Sequence, residues 1–413
     1  MGIKLGLLGL GSFGGCFAPL FANHPLVDSV VLCDAVQDRI DRIASREEIL
    51  PGKIDLAHST TSFDELCKTD VDAICVITQP DLHAPQCIQA LEAGKDVYCA
   101  VPVISLPDDE EVLDWCRKVQ ETVKRTGKNY MLGETTIYRP QTMFCRRMAA
   151  QHMFGDFVYA EAEYAHDVDC PTCSLREVAK ARAFGEIGRQ RKEKMQKYID
   201  RGFKSNPMSY PTHSVSGVVD VMRSKPVKVS AYGYVNKSGD PHFKNSEFTN
   251  LVALFQMDNG AIFRVGEMRE IQDGTGLAGE DFRVFGTRGS YSYNVFKDNG
   301  RIVPEPDKKP EPVKVTNLTD AEMRDPLPQE VMDAFNRAYN KDAKPGDDFV
   351  PQGHGGSHPY LVHEFVMSVA EHRKPAIPIE KAATYMAMGA AAHKSAQLGG
   401  EPVKVEDFGL SWD

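Results

Sequence analysis

Apolar residues follow two rhythms along the chain, and the change between them divides it. Up to about residue 127, short unbroken apolar runs, IKLGLL, SVVLC, DAICVIT and DVYCAV, alternate with segments whose apolar positions recur at helical spacing, such as HAPQCIQALEAG and the stretch from about Pro107 to Thr126. Continuous runs suit strands covered on both faces, and strands separated by helices need right-handed crossovers, so the pattern predicts an α/β Rossmann unit with a doubly wound parallel sheet. After NYMLGET the rhythm becomes alternation. PVKVSAYGYV, TNLVALFQM, AIFRVGEMRE and DFRVFGTRGSYSYNV place apolar residues at every second position, with hairpin signals at DNG (258–260) and TRG (287–289). Such strands bury one face, which predicts an α+β domain with a large, mostly antiparallel open sheet. The other face needs cover, so a homodimer or homotetramer through this sheet is expected. A helix over about 140–152 precedes the sheet, and PYLVHEFVMSVAEHR and EKAATYMAMGAAAHKSAQLGG are amphipathic helices beyond it. The expected domains are therefore 1–127 and 128–413, with the C-terminal helices packing back on the second. RIVPEPDKKPEPVKV reads as an exposed excursion.

The glycines after the first run give this pattern a chemical meaning. GLGSFG follows IKLGLL at once and opens a helix, placing Gly9, Gly11 and Gly14 in G-x-G-x-x-G spacing with Ser12 and Phe13 between them. The first glycine allows the tight turn, the second removes a Cβ that would block a pyrophosphate, and the third lets helix and strand approach. The second strand ends at Asp34, 20 residues beyond Gly14, where a carboxylate accepts the hydroxyls of an adenosine ribose. Asp34 would repel a 2′-phosphate and is followed by Ala35 rather than arginine, so NAD is expected rather than NADP, with Arg39 a nearby cation that would suit the phosphate. Thr78, Gln79 and His83 follow the third strand and Val101 the fourth, at the carboxyl ends where the nicotinamide half should lie. The tip of that fourth strand, Ala100 and Val101, cannot ionise, so acid–base chemistry must come from elsewhere.

Composition narrows the class. The 413 residues carry a formal net charge of −10, which argues against a nucleic-acid partner, and the basic stretch 189–204 reads as a solvated helix face. No apolar run approaches the roughly 20 residues that span a bilayer, so no membrane role is expected. Ten cysteines scattered through apolar segments suit a reducing compartment, the cytoplasm. HDVDCPTC has one C-x-x-C pair but no second, and the glycines between His354 and His358 spoil helical metal-ligand spacing, so no metal is expected.

The order of GLGSFG, TQPDLH, AGKDVYCAVP, MFGDFVYAEAEY, YPTHSVSGVVDVM, FGTRGSY and the final alanine-rich helix resembles the glucose-fructose oxidoreductase and inositol dehydrogenase family (Gfo/Idh/MocA) over nearly the whole chain. In that family the AVP position usually reads Glu-Lys-Pro, and its lysine contacts substrate and nicotinamide; Ala100 and Val101 replace both charged residues here. The resemblance implies that His213 in SYPTHSVSG takes the hydroxyl proton as hydride leaves, although Ser209 stands where the family often has an aspartate. Tyr138, Arg139, Tyr164, His166, Asp167, Tyr210, His213 and His354 also match, in order, the Tyr-Arg, Tyr-x-His-Asp, Tyr-Pro-Thr-His and Gly-His-Gly-Gly segments of NAD-dependent glycosidases similar to α-N-acetylgalactosaminidases. These likenesses imply a carbohydrate substrate. Catalytic roles then fall to His213, Tyr210, Tyr138 and His166, and substrate contacts to Arg139, Tyr164 and His354. The expected function is NAD-dependent oxidation of a secondary hydroxyl of a sugar, glycoside or cyclitol. The alternatives are a redox-neutral NAD-dependent glycoside hydrolase and a dinucleotide-binding sensor without catalysis.

Overall fold

The structure is a computed structural model that describes residues 2–170, 174–272, 279–298 and 312–412. In chain order its elements begin β1 (Ile3–Leu8), α1 (Ser12–Asn23), β2 (Val27–Cys33), α2 (Gln37–Ala44), α3 (Phe63–Lys68), β3 (Ala73–Val76), α4 (His83–Glu92), β4 (Asp96–Ala100), α5 (Asp109–Thr126) and β5 (Tyr130–Gly133). Then come α6 (Pro140–Ala150), β6 (Phe157–Ala165), α7 (Leu175–Arg182), α8 (Gly185–Asp200), α9 (Thr212–Met222), β7 (Pro226–Tyr234), β8 (Asn250–Met257), β9 (Ile262–Met268), β10 (Glu280–Gly286), β11 (Gly289–Ser292), β12 (Val295–Asp298) and β13 (Lys314–Asn317). The remainder is α10 (Asp320–Met323), α11 (Gln329–Tyr339), α12 (His358–Ala370), α13 (Ile379–Gln397) and β14 (Val403–Lys404).

The chain divides into two compact units: residues 1–104, 114–139 and 326–383 form the first, and 105–113, 140–325 and 384–413 the second. In the first unit the strands lie in the order β2-β1-β3-β4-β5 with every pair parallel, the expected doubly wound sheet. The unbroken apolar runs are the reason: β3, β4 and β5 are buried along their whole length because helices cover both faces. The sequence pattern gave residues 326–383 to the second domain, whereas in the structure they belong with the first unit. There α11 and α12 pack on α1, whose outer stripe is aromatic: the Phe17 ring stacks on His358 at 4.3 Å and Phe21 meets Phe365 edge-on at 6.3 Å. An amphipathic helix announces that one face is covered, not by what.

The second unit is built on a nine-stranded sheet ordered β13-β12-β11-β10-β6-β9-β8-β7-β14. Its recorded pairs are antiparallel except β6 with β9, as the alternation predicted. One face is covered by α9, every residue of which is buried, with α6 packed on α9. This helix is buried all round, Thr212, His213, Ser214, Ser216 and Asp220 included, as a helix sandwiched between layers is. The opposite sheet face carries exposed Tyr232, Leu254 and Ile262 around an ion-pair cluster of Glu161 with Arg264 and Arg283. DNG forms the tight turn between β8 and β9, with Gly260 at φ +87°, and residues 301–311 of the proline-rich excursion lie outside the described residues. Among the described residues no helix is long and apolar enough to cross a membrane.

Candidate active site

In the first unit the glycine loop turns β1 into α1 as its sequence demands. Gly9 sits at φ +94°, and a Cβ there would lie 2.3 Å from the Ile77 carbonyl oxygen; a Cβ on Gly14 would lie 1.9 Å from that of Gly9. Both positions are closed to any other residue. Gly11 differs, because a Cβ added there meets no protein atom within 4 Å and would project into open space. It caps α1 without any side-chain hydrogen bond, so no side-chain oxygen occupies the first-turn amides that an anion would need.

Asp34 ends β2 as a buried carboxylate. It accepts hydrogen bonds from Leu10 N–H at 2.8 Å and Val36 N–H at 3.0 Å, which tie the glycine loop to the second strand, and Arg39 lies 3.3 Å away. Two cations passed over by the sequence reading also hold this loop: Arg42 donates to the Leu10 carbonyl at 2.7 Å and Arg46 to that of Gly15 at 2.8 Å. At the end of β3, Thr78 donates to the Gln86 amide oxygen, while the buried Gln79 amide oxygen has no partner among the described residues. An orphaned acceptor, an open Gly11 and uncapped amides fit the donors, close approach and charge of a dinucleotide. Asp34→Ala should weaken NAD binding at least tenfold, since the hydroxyl hydrogen bonds and the loop anchor go together; titration by intrinsic fluorescence checks this.

Phe13, in the glycine loop, meets His354 edge-on at 5.5 Å and His358 at 5.6 Å, and His354 Nδ1 lies 3.0 Å from His358 Nε2. Burial, with His354 and Arg139 adding to it, holds the His358 imidazole down to about 3, so that ring is neutral. Gly353, Gly355 and Gly356 all take positive φ, as does His354 itself, which is how the loop folds tightly enough to set both rings beside Phe13. The Tyr138 ring stacks on Tyr360 at 6.2 Å, and Arg139 follows it at the end of the turn. Thus Tyr138, Arg139 and His354 fall in the first unit with the glycine loop, and Tyr164, His166, Tyr210 and His213 in the second. Glu134, which closes β5 fully buried and accepts from Thr136 N–H at 2.9 Å, was not singled out in the sequence.

The second cluster surrounds His213, in the first turn of α9 and 6% exposed. Tyr164 lies edge-on to its ring at 5.1 Å, Tyr210 is tilted against it at 5.3 Å, and Glu280 Oε2 stands 3.7 Å from Nδ1. Tyr164 shares a short hydrogen bond with His166 Nδ1. Beneath Tyr164, Arg269 sits 4.5 Å from the ring centre, donates to the Tyr164 carbonyl at 3.0 Å, and bonds Glu267 at 2.6 Å. Ser214, next to His213, bonds the other oxygen of Glu267. An imidazole between two phenols with a carboxylate at its back has the parts of a general base and its proton relay.

Glu267 and Glu280 were missed by the sequence reading, and a signal existed for both. On β9 the inward positions are Phe263, Val265 and Glu267, and on β10 they are Glu280, Phe282 and Val284. An acid in the apolar phase of a strand must be buried. Burial pushes the Glu267 carboxyl up to about 7, although Arg269 and Ser214 pull the other way. Its folded pKa thus exceeds the unfolded one, so the folded state holds the extra proton and stability falls as pH rises from 4.5 toward 7. Relative to wild type, Glu267→Gln should gain about 3 kcal/mol on going from pH 5 to pH 8, read from urea unfolding at each pH.

Comparison with known proteins bears on the first unit and on the fold. Residues 3–134 match the family described as "Oxidoreductase family, NAD-binding Rossmann fold" (Gfo/Idh/MocA). An α-N-acetylgalactosaminidase of Shewanella oneidensis is 27% identical over 169 residues, 40% of this chain and 36% of that protein, so the match spans about a third of the relative's length. Over the full fold, levoglucosan dehydrogenase in complex with NADH and levoglucosan superposes with a TM-score of 0.69 at 16% identity, covering 98% of this chain and 100% of the other. Myo-inositol 2-dehydrogenase of Lactobacillus plantarum gives 0.66 at 14% identity with the same coverage. The resemblance read from the sequence is borne out, and so is the two-sheet fold.

Proposed function

We propose that this chain, whose residues 3–134 match the NAD-binding part of the Gfo/Idh/MocA oxidoreductases, is an NAD-dependent oxidoreductase that removes hydride from a secondary hydroxyl carbon of a sugar, glycoside or cyclitol. The observation that carries the reading is the His213 cluster: a buried imidazole flanked by two phenols and backed by Glu280, on a chain whose other unit has a complete dinucleotide loop. Bound at that loop, NAD would supply the hydride acceptor. Gly9, Gly11, Ser12, Phe13 and Gly14 would hold its pyrophosphate, Asp34 its ribose, and Thr78, Gln79 and Val101 its nicotinamide half, whereas His83, expected there from the sequence, is buried with its ring nitrogens on the Thr78 and Pro102 carbonyls. Asp34 in place of a small residue favours NAD over NADP, with Arg39 engaged by Asp34 itself.

His213 would take the hydroxyl proton at an imidazole nitrogen, with Glu280 stabilising the imidazolium that forms. Tyr210 would orient the hydroxyl, and Tyr164 with His166 would pass the proton outward through their shared hydrogen bond. Tyr138, Arg139 and His354 would bind the sugar ring. A redox-neutral glycosidase is the second reading, favoured by the α-N-acetylgalactosaminidase relative. Homo-oligomerisation through the outer face of the nine-stranded sheet, where Tyr232, Leu254 and Ile262 are exposed, belongs to the same proposal, as does residence in the cytoplasm, which suits nine free thiols among the described residues.

Purified protein given aryl glycosides and free sugars, with and without NAD, tests the function. Stoichiometric NADH from free sugars or cyclitols supports the dehydrogenase. Aglycone release without NADH accumulation replaces it with the glycosidase, and silence in both with intact NAD binding leaves a sensor.

A further inference from the structure

His393 lies on α13, 3% exposed, and each of its ring nitrogens meets a carboxylate. Nδ1 stands 2.5 Å from Asp109 Oδ2, and Nε2 stands 3.0 Å from Glu247 Oε2. An ionised carboxylate only accepts, and a neutral imidazole carries one N–H. The neutral ring would therefore set a lone pair against an anion, whereas the doubly protonated ring bonds both. Glu247 is held in place by Gln397 Nε2, which donates to the same oxygen at 2.9 Å. The third neighbour is Asn206, whose amide lies 3.0 Å from Nδ1. Its Oδ1 is buried without a partner among the described residues, and a half-turn of the amide brings that oxygen to the Nδ1 proton.

These groups come from four places in the second unit: the first turn of α5, the loop after α8, the loop before β8, and α13 itself. The Phe248 ring meets the imidazole edge-on at 6.0 Å. A cavity of about 500 Å³ reaches the ring and both carboxylates, so the proton exchanges with solvent. Asp108, Glu110, Lys204, Lys394, Lys404 and Glu406 are the other charged groups that line it. Burial would lower the ring's pKa, and Asp109 followed by Glu247 raises it instead. The folded value thus exceeds the unfolded one, so the hold is complete below 6.5 and is lost as pH rises through the folded value.

The chain held here leads to the catalytic cluster. The Asn206 carbonyl accepts from Ser209 Oγ at 2.8 Å and from Ser209 N–H at 3.3 Å, closing the turn Pro207–Ser209. Tyr210 and Pro211 follow at once, and α9 begins with His213 in its first turn. One turn before His393 on the same face of α13, Gly389 meets the other end of this segment. A Cβ there would lie 2.2 Å from the Met208 carbonyl oxygen and 2.8 Å from Pro211 Cγ. We propose that His393 is a positioning residue for His213: an imidazolium stapled between Asp109 and Glu247 that, together with Gly389, fixes the turn from which Tyr210 and His213 project. The kinetic part of this proposal rests on the oxidoreductase reading above; the staple and its hold on His213 do not.

Histidine-selective ¹⁵N NMR of the full-length protein tests the staple. At a pH where exposed histidines are neutral, the His393 ring, identified by its loss in His393→Gln, should carry protons on both nitrogens. In Glu247→Gln, a change at a partly exposed side chain, the second proton should leave at lower pH. A singly protonated His393 in the wild type would overturn the staple. The His213 ring signal, identified by its loss in His213→Gln, should shift in His393→Gln and in Gly389→Ala. An unmoved His213 signal in both would overturn the positioning role, whether or not any substrate is turned over. In the dehydrogenase assay, His393→Gln should lower kcat more than tenfold and leave the NAD Kd within twofold. The ratio of wild-type to variant kcat should shrink as pH rises through the range in which His393 loses its second proton, and a ratio flat across that range would overturn positioning by charge. NAD binding without turnover in the wild type would overturn the oxidoreductase reading and leave the two NMR results to decide the staple and its hold on His213.

Discussion

Replacing His213 by alanine should lower kcat/KM by about 10²–10⁴ while NAD affinity stays within twofold. The ring is placed by backbone rather than by its own hydrogen bonds alone: Pro211 caps α9, and His213 follows Thr212 in the first turn, where every neighbour is buried. Tyr164 and Tyr210 fix its plane, and Glu280, 3.7 Å from Nδ1, favours the protonated ring that results from taking a proton. Neither phenol can substitute, because burial holds Tyr164 far above its ordinary range and a neutral phenol accepts a proton poorly. The deficit should narrow as pH rises, since hydroxide replaces the missing base, and a rate profile across pH reads this directly. His213→Gln, which nearly keeps the volume and one hydrogen bond, should be nearly as slow as alanine. Activity within threefold of wild type in either variant, with the fold intact by circular dichroism, would remove His213 from the mechanism.

How far the sequence alone reached depended on whether the physics involved is local. The parallel sheet, the glycine turn and Asp34 were legible because each follows from spacing along one stretch of chain: Gly14 has to be glycine on account of Gly9, five residues earlier. The antiparallel sheet was legible for the same reason, through alternation. What escaped was set by distant partners. Residues 326–383 carry amphipathic helices whose apolar faces fit either unit, and only the aromatic stripe of α1, Phe17 and Phe21, decides that they join the first. Glu267 was hidden by its surroundings, read as part of an apolar strand although its carboxyl bridges Ser214 and Arg269. His83 was placed near the cofactor from its position after the third strand, yet nothing in TQPDLH announces the Pro102 carbonyl 19 residues away.

Alanine at Gly14 and at Gly11 should fail in opposite ways, and the contrast tests the cofactor loop independently of any substrate. At Gly14 the new Cβ would stand 1.9 Å from the Gly9 carbonyl oxygen and 3.0 Å from its carbon, both backbone atoms with no flexible end to yield. Helix α1 must then move off β1, and it carries Phe17 and Phe21, both fully buried, so the packing on Tyr98, His358 and Phe365 opens with it. Overpacking plus lost aromatic contact puts the expected destabilisation at about 3 kcal/mol or more, and NAD binding should be undetectable because the helix N-terminus is displaced. At Gly11 the backbone takes φ −65°, which alanine adopts freely, and the added methyl meets nothing within 4 Å. The unliganded Gly11→Ala chain should therefore be as stable as wild type, or more stable by about 0.4–1 kcal/mol through the narrower unfolded state. Its methyl nevertheless occupies the space a pyrophosphate needs. Wild type at a hundredfold excess over Kd should gain about 2.7 kcal/mol from NAD, and Gly11→Ala should gain none, so thermal unfolding of the three proteins with and without NAD distinguishes a phosphate cradle from a merely structural turn. A Gly11→Ala variant that kept the full NAD-dependent rise would show that the nucleotide, if bound at all, approaches the chain somewhere other than this loop.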